Sequence, residues 1–213
     1  MHDITTAQLK SALLHVCDSI IQAEPMLTEL DTVIGDGDHG IGMRIGFTAL
    51  HKQLSVMTYE SPYHLLHEAG MTLIRVMGGT SGVIFGTLFI GGLSAIESKE
   101  SLTLADFSAY ISGGTEAIQK RGRVNRGDKT MYDALIEASE SLKHSVVEHL
   151  SFESALNEAA KASVCGMENT KAMISRMGRS KNFREKTIGH PDTGAVSVTI
   201  IFKALAESFT AEA

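Results

Sequence analysis

The chain has 213 residues, 43% hydrophobic and 21% charged, with a formal net charge of −6 and two cysteines. This is ordinary soluble globular composition, long enough to bury a core without disulfides. The acidic balance speaks against non-specific nucleic-acid binding. Length and the lack of a linker suit one domain over residues 1–213. Cys17 and Cys165 lie far apart in apolar patterns and read as reduced core thiols of a cytoplasmic protein. The first ten residues carry His2, Asp3 and Lys10 and no apolar run, so no secretory signal is expected. The longest apolar stretch, 83–96, is interrupted by glycines and too short to span a membrane.

In chain order, Thr5 with Gln8 forms a capping-box pattern, and Leu9, Leu13, Cys17, Ile20 and Ile21 follow at helical spacing. Pro25 stops that run, and residues 26–30 read as a short turn. A second helix is expected over 40–55, with Met43, Phe47, Leu50 and Leu54 on one face. Ser61-Pro62 starts the third, which continues to Val76. The next, 83–97, is apolar nearly all round and is expected to be buried. Thr103 and Asp106 cap a helix carrying Leu104, Phe107, Ile111 and Ile118. Another begins near Thr130. Ser151 caps a long one over 152–177, closed by Gly178. The last runs from Asp192-Thr193-Gly194 to Phe209. Its β-branched stretch 195–202 also fits a strand, but its length favours a helix. The sum is an all-α fold of about eight amphipathic helices with short connections.

Four breaks hold the unusual chemistry: 35–42, 78–82, 121–129 and 178–194. Two helices separate each from the next, so in an up-and-down array all four fall on one rim. The first, DTVIGDGDHGIG at 31–42, sets Asp31, Asp36 and Asp38 among four glycines. Carboxylates this close repel unless a cation sits between them, and a hard divalent ion bound by oxygen is one answer; a surface turn is the other. Residues 78–82, GGTSG, open a helix whose free N–H groups and hydroxyls suit a phosphate, or else make a tight helix–helix turn. Lys129 and Arg179 are candidates to offset phosphate charge, set against plain surface exposure. His39 could bond phosphate or support a carboxylate, and His190 reads similarly. No Walker A or protein-kinase signature occurs.

The chain resembles the nucleotide-binding L subunit family of bacterial dihydroxyacetone kinases. The matching segments are LDTVIGDGDHG (30–40), GMTL (70–73), GGTSG with FGTLF (78–89), RGR then GDKTM (121–131), and GR then IGHPDTGA (178–195). The resemblance implies a closed barrel of eight antiparallel helices with the nucleotide at one rim. It implies two Mg²⁺ ions held by Asp31, Asp36 and Asp38 and bridged by ADP or ATP phosphates. Nucleotide contacts are implied for His39, Gly40, Ile41, Gly42, Thr80, Ser81, Gly122, Met131, Arg179, Asp192, Thr193 and Gly194, with no covalent nucleophile. The family often has Asn at Gly42 and Asp-Pro-Gly at Asp192-Thr193-Gly194, and residues 180–186 are less typical of it.

The implied activity passes the γ-phosphate of bound ATP to dihydroxyacetone held on a separate K subunit, since the chain ends at Ala213 without that domain. A phosphohistidine protein of the phosphotransferase system, the M subunit, would regenerate the ATP in place. The same residues suit an L subunit using exchangeable ATP on another short ketose, and, in a different class, a non-enzymatic sensor of nucleotide state. No nucleic-acid or membrane partner is expected, and a homodimer is left open.

Overall fold

A computed structural model describes residues 3–210; the ends of the expected domain, residues 1–2 (with His2) and 211–213, lie outside the described residues. The all-α expectation holds. Nine α-helices are described: α1 (Thr6–Gln22), α2 (Glu24–Ile34), α3 (His39–Val56), α4 (Pro62–Met77), α5 (Gly79–Ile90), α6 (Leu104–Gly122), α7 (Met131–Val147), α8 (Phe152–Asn169) and α9 (Thr193–Thr210). Two residues at each of two places, β1 (Ile4–Thr5) and β2 (Ser101–Leu102), form an antiparallel pair that no alternating pattern announced.

Local chemistry explains most helix starts. Thr5 with Gln8, Thr103 with Asp106 and Thr130 with Asp133 make complete capping boxes. Ser61 and Ser151 accept the N–H of His64 and Ser154. The buried positions of α1 (Leu9, Leu13, Val16, Cys17, Ile20) and α3 (Met43, Phe47, Leu50, Leu54) recur every three to four residues and join one apolar cluster.

Around that cluster α1 packs on α3, α3 on α4, and so on in order through α9, which packs back on α1. The succession of eight helices therefore closes on itself. The ninth, α2, packs mainly on α3 and also on α9. Close approach is set by glycine at several crossings. A Cβ on Gly92 would lie 1.8 Å from the Tyr110 carbonyl oxygen of α6.

Four expectations need correction. Residues 26–30 are helical, because Pro25 occupies the first turn of α2 rather than ending α1. The apolar helix starts at Gly79 and stops at Ile90; Gly91 and Gly92 then press against α6, and a 3-10 turn follows at Leu93–Ala95. No residue of α5 beyond Thr80 is exposed, as its composition required. Helix α8 ends at Asn169, not Met177. The Thr170 carbonyl is taken by the Met173 N–H and by the Lys129 ammonium, and the chain leaves through the 3-10 turn Thr170–Ala172. Cys17 is buried, and burial with the Asp18 charge pushes its thiol up, but Cys165 is exposed on α8. Helix α2 adds to the expected number of helices but precedes the first break, so two helices still separate each break from the next: α3 and α4, α5 and α6, α7 and α8.

Two glycine substitutions should move stability in opposite directions. Gly92→Ala forces a methyl into the Tyr110 backbone and should cost about 1–3 kcal/mol or more, as overpacking does. At Gly42 an added Cβ meets nothing within 4 Å, so Gly42→Ala should gain about 0.5–1 kcal/mol from helix propensity. Urea unfolding midpoints of the two variants test both signs.

Candidate metal and phosphate site

Four helices begin at the chemically rich breaks: α3, α5, α7 and α9. Two of these starts are capped by side chains, α7 by Thr130 and α9 by Asp192, whose Oδ1 accepts the Ala195 N–H at 2.8 Å. The other two, α3 and α5, have no side-chain cap. The α5 ladder begins with the Gly82 N–H on the Gly78 carbonyl, and the α3 ladder with the Gly42 N–H on the Asp38 carbonyl. The first N–H groups of both helices thus lie outside the helical ladders, where they favour an anion. Gly78 and Gly79, at φ 64 and 56, make a turn into α5 that side chains disfavour.

Asp31, Asp36 and Asp38 converge beside the start of α3, each offering an oxygen within 4.8 Å of the others. Asp31 sits in the last turns of α2 and is only 9% exposed. It accepts the His39 N–H on Oδ2 and the Thr193 hydroxyl on Oδ1, each at 3.4 Å. The chain doubles back over it at Gly35, where a Cβ would lie 2.3 Å from Asp31 Oδ1. Gly37 at φ 75 then turns Asp36 and Asp38 toward the same point. Asp38 has its carboxyl raised by partial burial and then by the Asp36 charge, with Asp31 adding and Arg179 opposing. Arg179 supplies the local cation, with Nε 2.7 Å from Asp36 and Nη2 4.0 Å from Asp38. Three carboxylates against one exposed guanidinium leave an excess of negative charge. An oxygen-bound divalent cation fits that donor set.

The other expected residues divide into groups. Gly40 is buried where α3 abuts α2; its Cβ would meet Thr28 Oγ1 at 2.3 Å. Ile41 is exposed one residue on, and Gly42 faces open space. Met131, Asp192 and Gly194 meet where α7 and α9 begin, a Gly194 Cβ lying 3.1 Å from both Met131 Cβ and Asp192 Oδ1. Thr80, Ser81 and Gly122 lie on the α5–α6 side, where a Cβ on Gly122 would lie 3.9 Å from Ile84 Cδ1. Among the described residues no direct contact ties these three to the carboxylates.

His39 is fastened rather than free. Its Nε2 is 2.8 Å from Ser197 Oγ on α9, its ring lies 6.2 Å from Phe85, and burial lowers its pKa against the pull of Asp31. Lys129 corrects the expectation of a phosphate-facing cation. It is 1% exposed, and its ammonium donates to the carbonyls of Thr170, Thr187 and His190 at 2.7, 2.7 and 2.6 Å. Burial pulls its pKa down and Asp192 pushes it back. His190 enters through its backbone, its carbonyl accepting from Lys129 and its N–H donating to the Thr187 carbonyl at 3.3 Å. Sequence reading also passed over Ser197 and the double duty of Asp133, which caps α7 and accepts the Gly127 N–H at 2.6 Å. The Thr130–Asp133 capping pattern was the available signal.

A family model described as the DAK2 domain matches residues 33–207. The chain belongs to the DAK2 family. Two relatives cover nearly its whole length. The ADP-binding subunit DhaL of the PEP-dependent dihydroxyacetone kinase of Escherichia coli K12 is 37% identical over 191 residues, covering 89% of this chain and 91% of that protein. The ADP-binding subunit DhaL of PEP-dependent dihydroxyacetone kinase 2 of Listeria innocua is 34% identical, covering 85% of each. Among solved structures, the dihydroxyacetone kinase of C. freundii in complex with AMP-PNP and Mg²⁺ superposes with a TM-score of 0.76 at 25% identity, over 98% of this DAK2 chain but 35% of that longer one. The resemblance to the L subunit family therefore holds. No helix among the described residues is long and apolar enough to cross a membrane.

Asp192 gives this DAK2 site a pH signature. Although it keeps some exposure, burial pushes its carboxyl up to about 7, the Ala195 N–H pulls it down, and Asp133 and Asp31 add to the rise. The folded chain therefore holds more protons than the unfolded chain between the ordinary value of 3.8 and about 7. Stability falls as pH rises through that window. Asp192→Asn keeps an acceptor for Ala195 and removes the charge. In thermal melts of metal- and nucleotide-free protein it should raise the midpoint more at pH 8 than at pH 4; equal shifts at both would assign the effect to something other than the charge.

Proposed function

We propose that this chain is the nucleotide-binding phosphotransfer subunit of a dihydroxyacetone kinase. The observation that carries the proposal is the convergence of Asp31, Asp36 and Asp38 within 4.8 Å at the start of α3, which has no side-chain cap from its own N-cap residue, in a chain of the DAK2 family. A phosphate-bearing ligand needs both halves: N–H groups for its oxygens, and carboxylates for the cation that travels with it. The AMP-PNP and Mg²⁺ of the C. freundii kinase complex support the same pairing.

In this scheme Asp31, Asp36 and Asp38 hold two Mg²⁺ ions. Once bound, the metal supplies Lewis-acid neutralisation of the transferring phosphoryl group. The chain's own residues do the rest. Asp31 is held in register by the His39 N–H and the Thr193 hydroxyl. Within the turn at 39–42 the N–H groups of Gly40 and Ile41, together with Thr80 and Ser81, receive phosphate oxygens. Gly122, Met131, Asp192, Thr193 and Gly194 line the remainder of the nucleotide site. Arg179, 72% exposed, is free to exchange its carboxylate partners for a phosphate. No side chain acts as a covalent nucleophile, so catalysis is alignment and charge stabilisation.

The partners are a dihydroxyacetone-bearing K subunit and a phosphohistidine protein of the phosphotransferase system, which rephosphorylates ADP in place. The names of the relatives, PEP-dependent and ADP-binding, support this donor over free ATP, and the setting is the cytoplasm. Mass analysis of the purified chain should find retained ADP. Phosphoryl transfer to dihydroxyacetone should require the K subunit and run from the phosphohistidine protein; rapid exchange with free ATP would move the chain to the ATP-dependent variant. Asp36→Ala should abolish Mg²⁺-dependent nucleotide binding with helical circular dichroism intact. Unchanged affinity would remove the metal from this cluster.

A further inference from the structure

Lys129 is the one buried lysine among the described residues. Its backbone sits at φ 58, a left-handed conformation that glycine adopts freely and lysine adopts at a cost. The position therefore uses the head group. An ammonium has three protons, and here three carbonyl oxygens receive them, those of Thr170, Thr187 and His190. All three acceptors belong to the segment joining α8 to α9. One side chain thus gathers the beginning, the later part and the end of that segment.

From these points hydrogen bonds lead to the carboxylates. Thr187 Oγ1 accepts the Ser175 N–H at 3.1 Å, and Ser175 Oγ lies 2.5 Å from Ser180 Oγ. Ser180 follows Arg179, whose Nε is 2.7 Å from Asp36. Past His190, the Asp192 N–H is held by Thr170 Oγ1 at 3.0 Å, and the Thr193 hydroxyl reaches Asp31. Apolar packing does little for this strap. Met177 packs partly on the core, Ile174 and Ile188 are 41% and 49% exposed, and a 3-10 segment is broken at Arg184 with φ 49. Polar ties must set its conformation.

We propose that Lys129 is a positioning residue whose ammonium shapes residues 170–190, delivering Arg179 to Asp36 and Asp38 and Thr193 to Asp31. With all three donors engaged by backbone, Lys129 does not touch the nucleotide; it acts through Arg179. The affinity readout rests on the nucleotide-binding function proposed above, while the shape of the strap is measured without it.

The test compares wild type, Lys129→Met, Arg179→Ala and the double variant. Amide hydrogen exchange follows residues 171–190, and calorimetry follows Mg-ADP binding. Lys129→Met should speed exchange in 171–190 while leaving the helices protected. It should weaken Mg-ADP by about tenfold or more, the scale of one charge-assisted hydrogen bond. The double variant should lose no more than the weaker-binding single variant, because the two residues act as one unit. Additive losses, or unchanged exchange in the strap, would overturn the proposal. If wild type itself fails to bind Mg-ADP, the functional reading falls and the exchange data alone decide on Lys129. If Lys129→Met does not fold, ¹⁵Nζ spectra of the lysines in wild type decide: one exchange-protected ammonium at neutral pH supports the assignment, and its absence defeats it.

Discussion

Three carboxylates held within 4.8 Å of one another, with one exposed guanidinium to answer them, set the terms for the rest of this molecule. Like charges that close drive a chain apart unless the backbone leaves them no choice. Here the choice is removed from three sides. Gly35 and Gly37 fold the loop back on α2, the start of α3 offers the His39 N–H to Asp31, and α9 brings Thr193 from the far end of the sequence. The closed succession of helices makes the last contact available, because α9 packs beside α1 and also touches α2.

The division of labour among helix starts follows from the same charge pattern. At α1, α4, α6, α7, α8 and α9, Ser, Thr or Asp side chains cap the first turn. At α3 and α5 the sequence supplies glycine in and around the first turn and no side-chain cap. A cap and an anion compete for the same N–H groups, so an open start beside a cation-seeking cluster is a coherent pair. It also separates α3 and α5 from α2, which lacks a side-chain cap because it follows α1 after a single residue.

Much of this was legible in the sequence, and the failures share a physical cause. Capping boxes, apolar periodicity and the DGD loop are local signals, and they located most helix starts and the carboxylate cluster. Pro25 misled because proline marks both the end of one helix and the first turn of the next. Helix α8 was drawn too long because its stop is not local: the Thr170 carbonyl is claimed by Lys129, 41 positions away in the sequence. Lys129 was misread for the same reason, since a lysine in a charged, glycine-containing loop looks solvated until the strap is seen to wrap it. The run 195–202 suited strand or helix by composition, and burial against α1, α7 and α8 decides for helix.

The open starts of α3 and α5 carry a consequence for the life of the protein as well as for its chemistry. A helix cap is worth about 1 kcal/mol, and on the proposed reading a bound phosphate supplies it at these two starts. A ligand that fills them is a component of the folded state, and occupancy shifts the balance between folded and unfolded chains by mass action. Protein that stands empty is then the fraction most open to proteases. Supply of the ligand would in this way govern how much of the protein a cell retains.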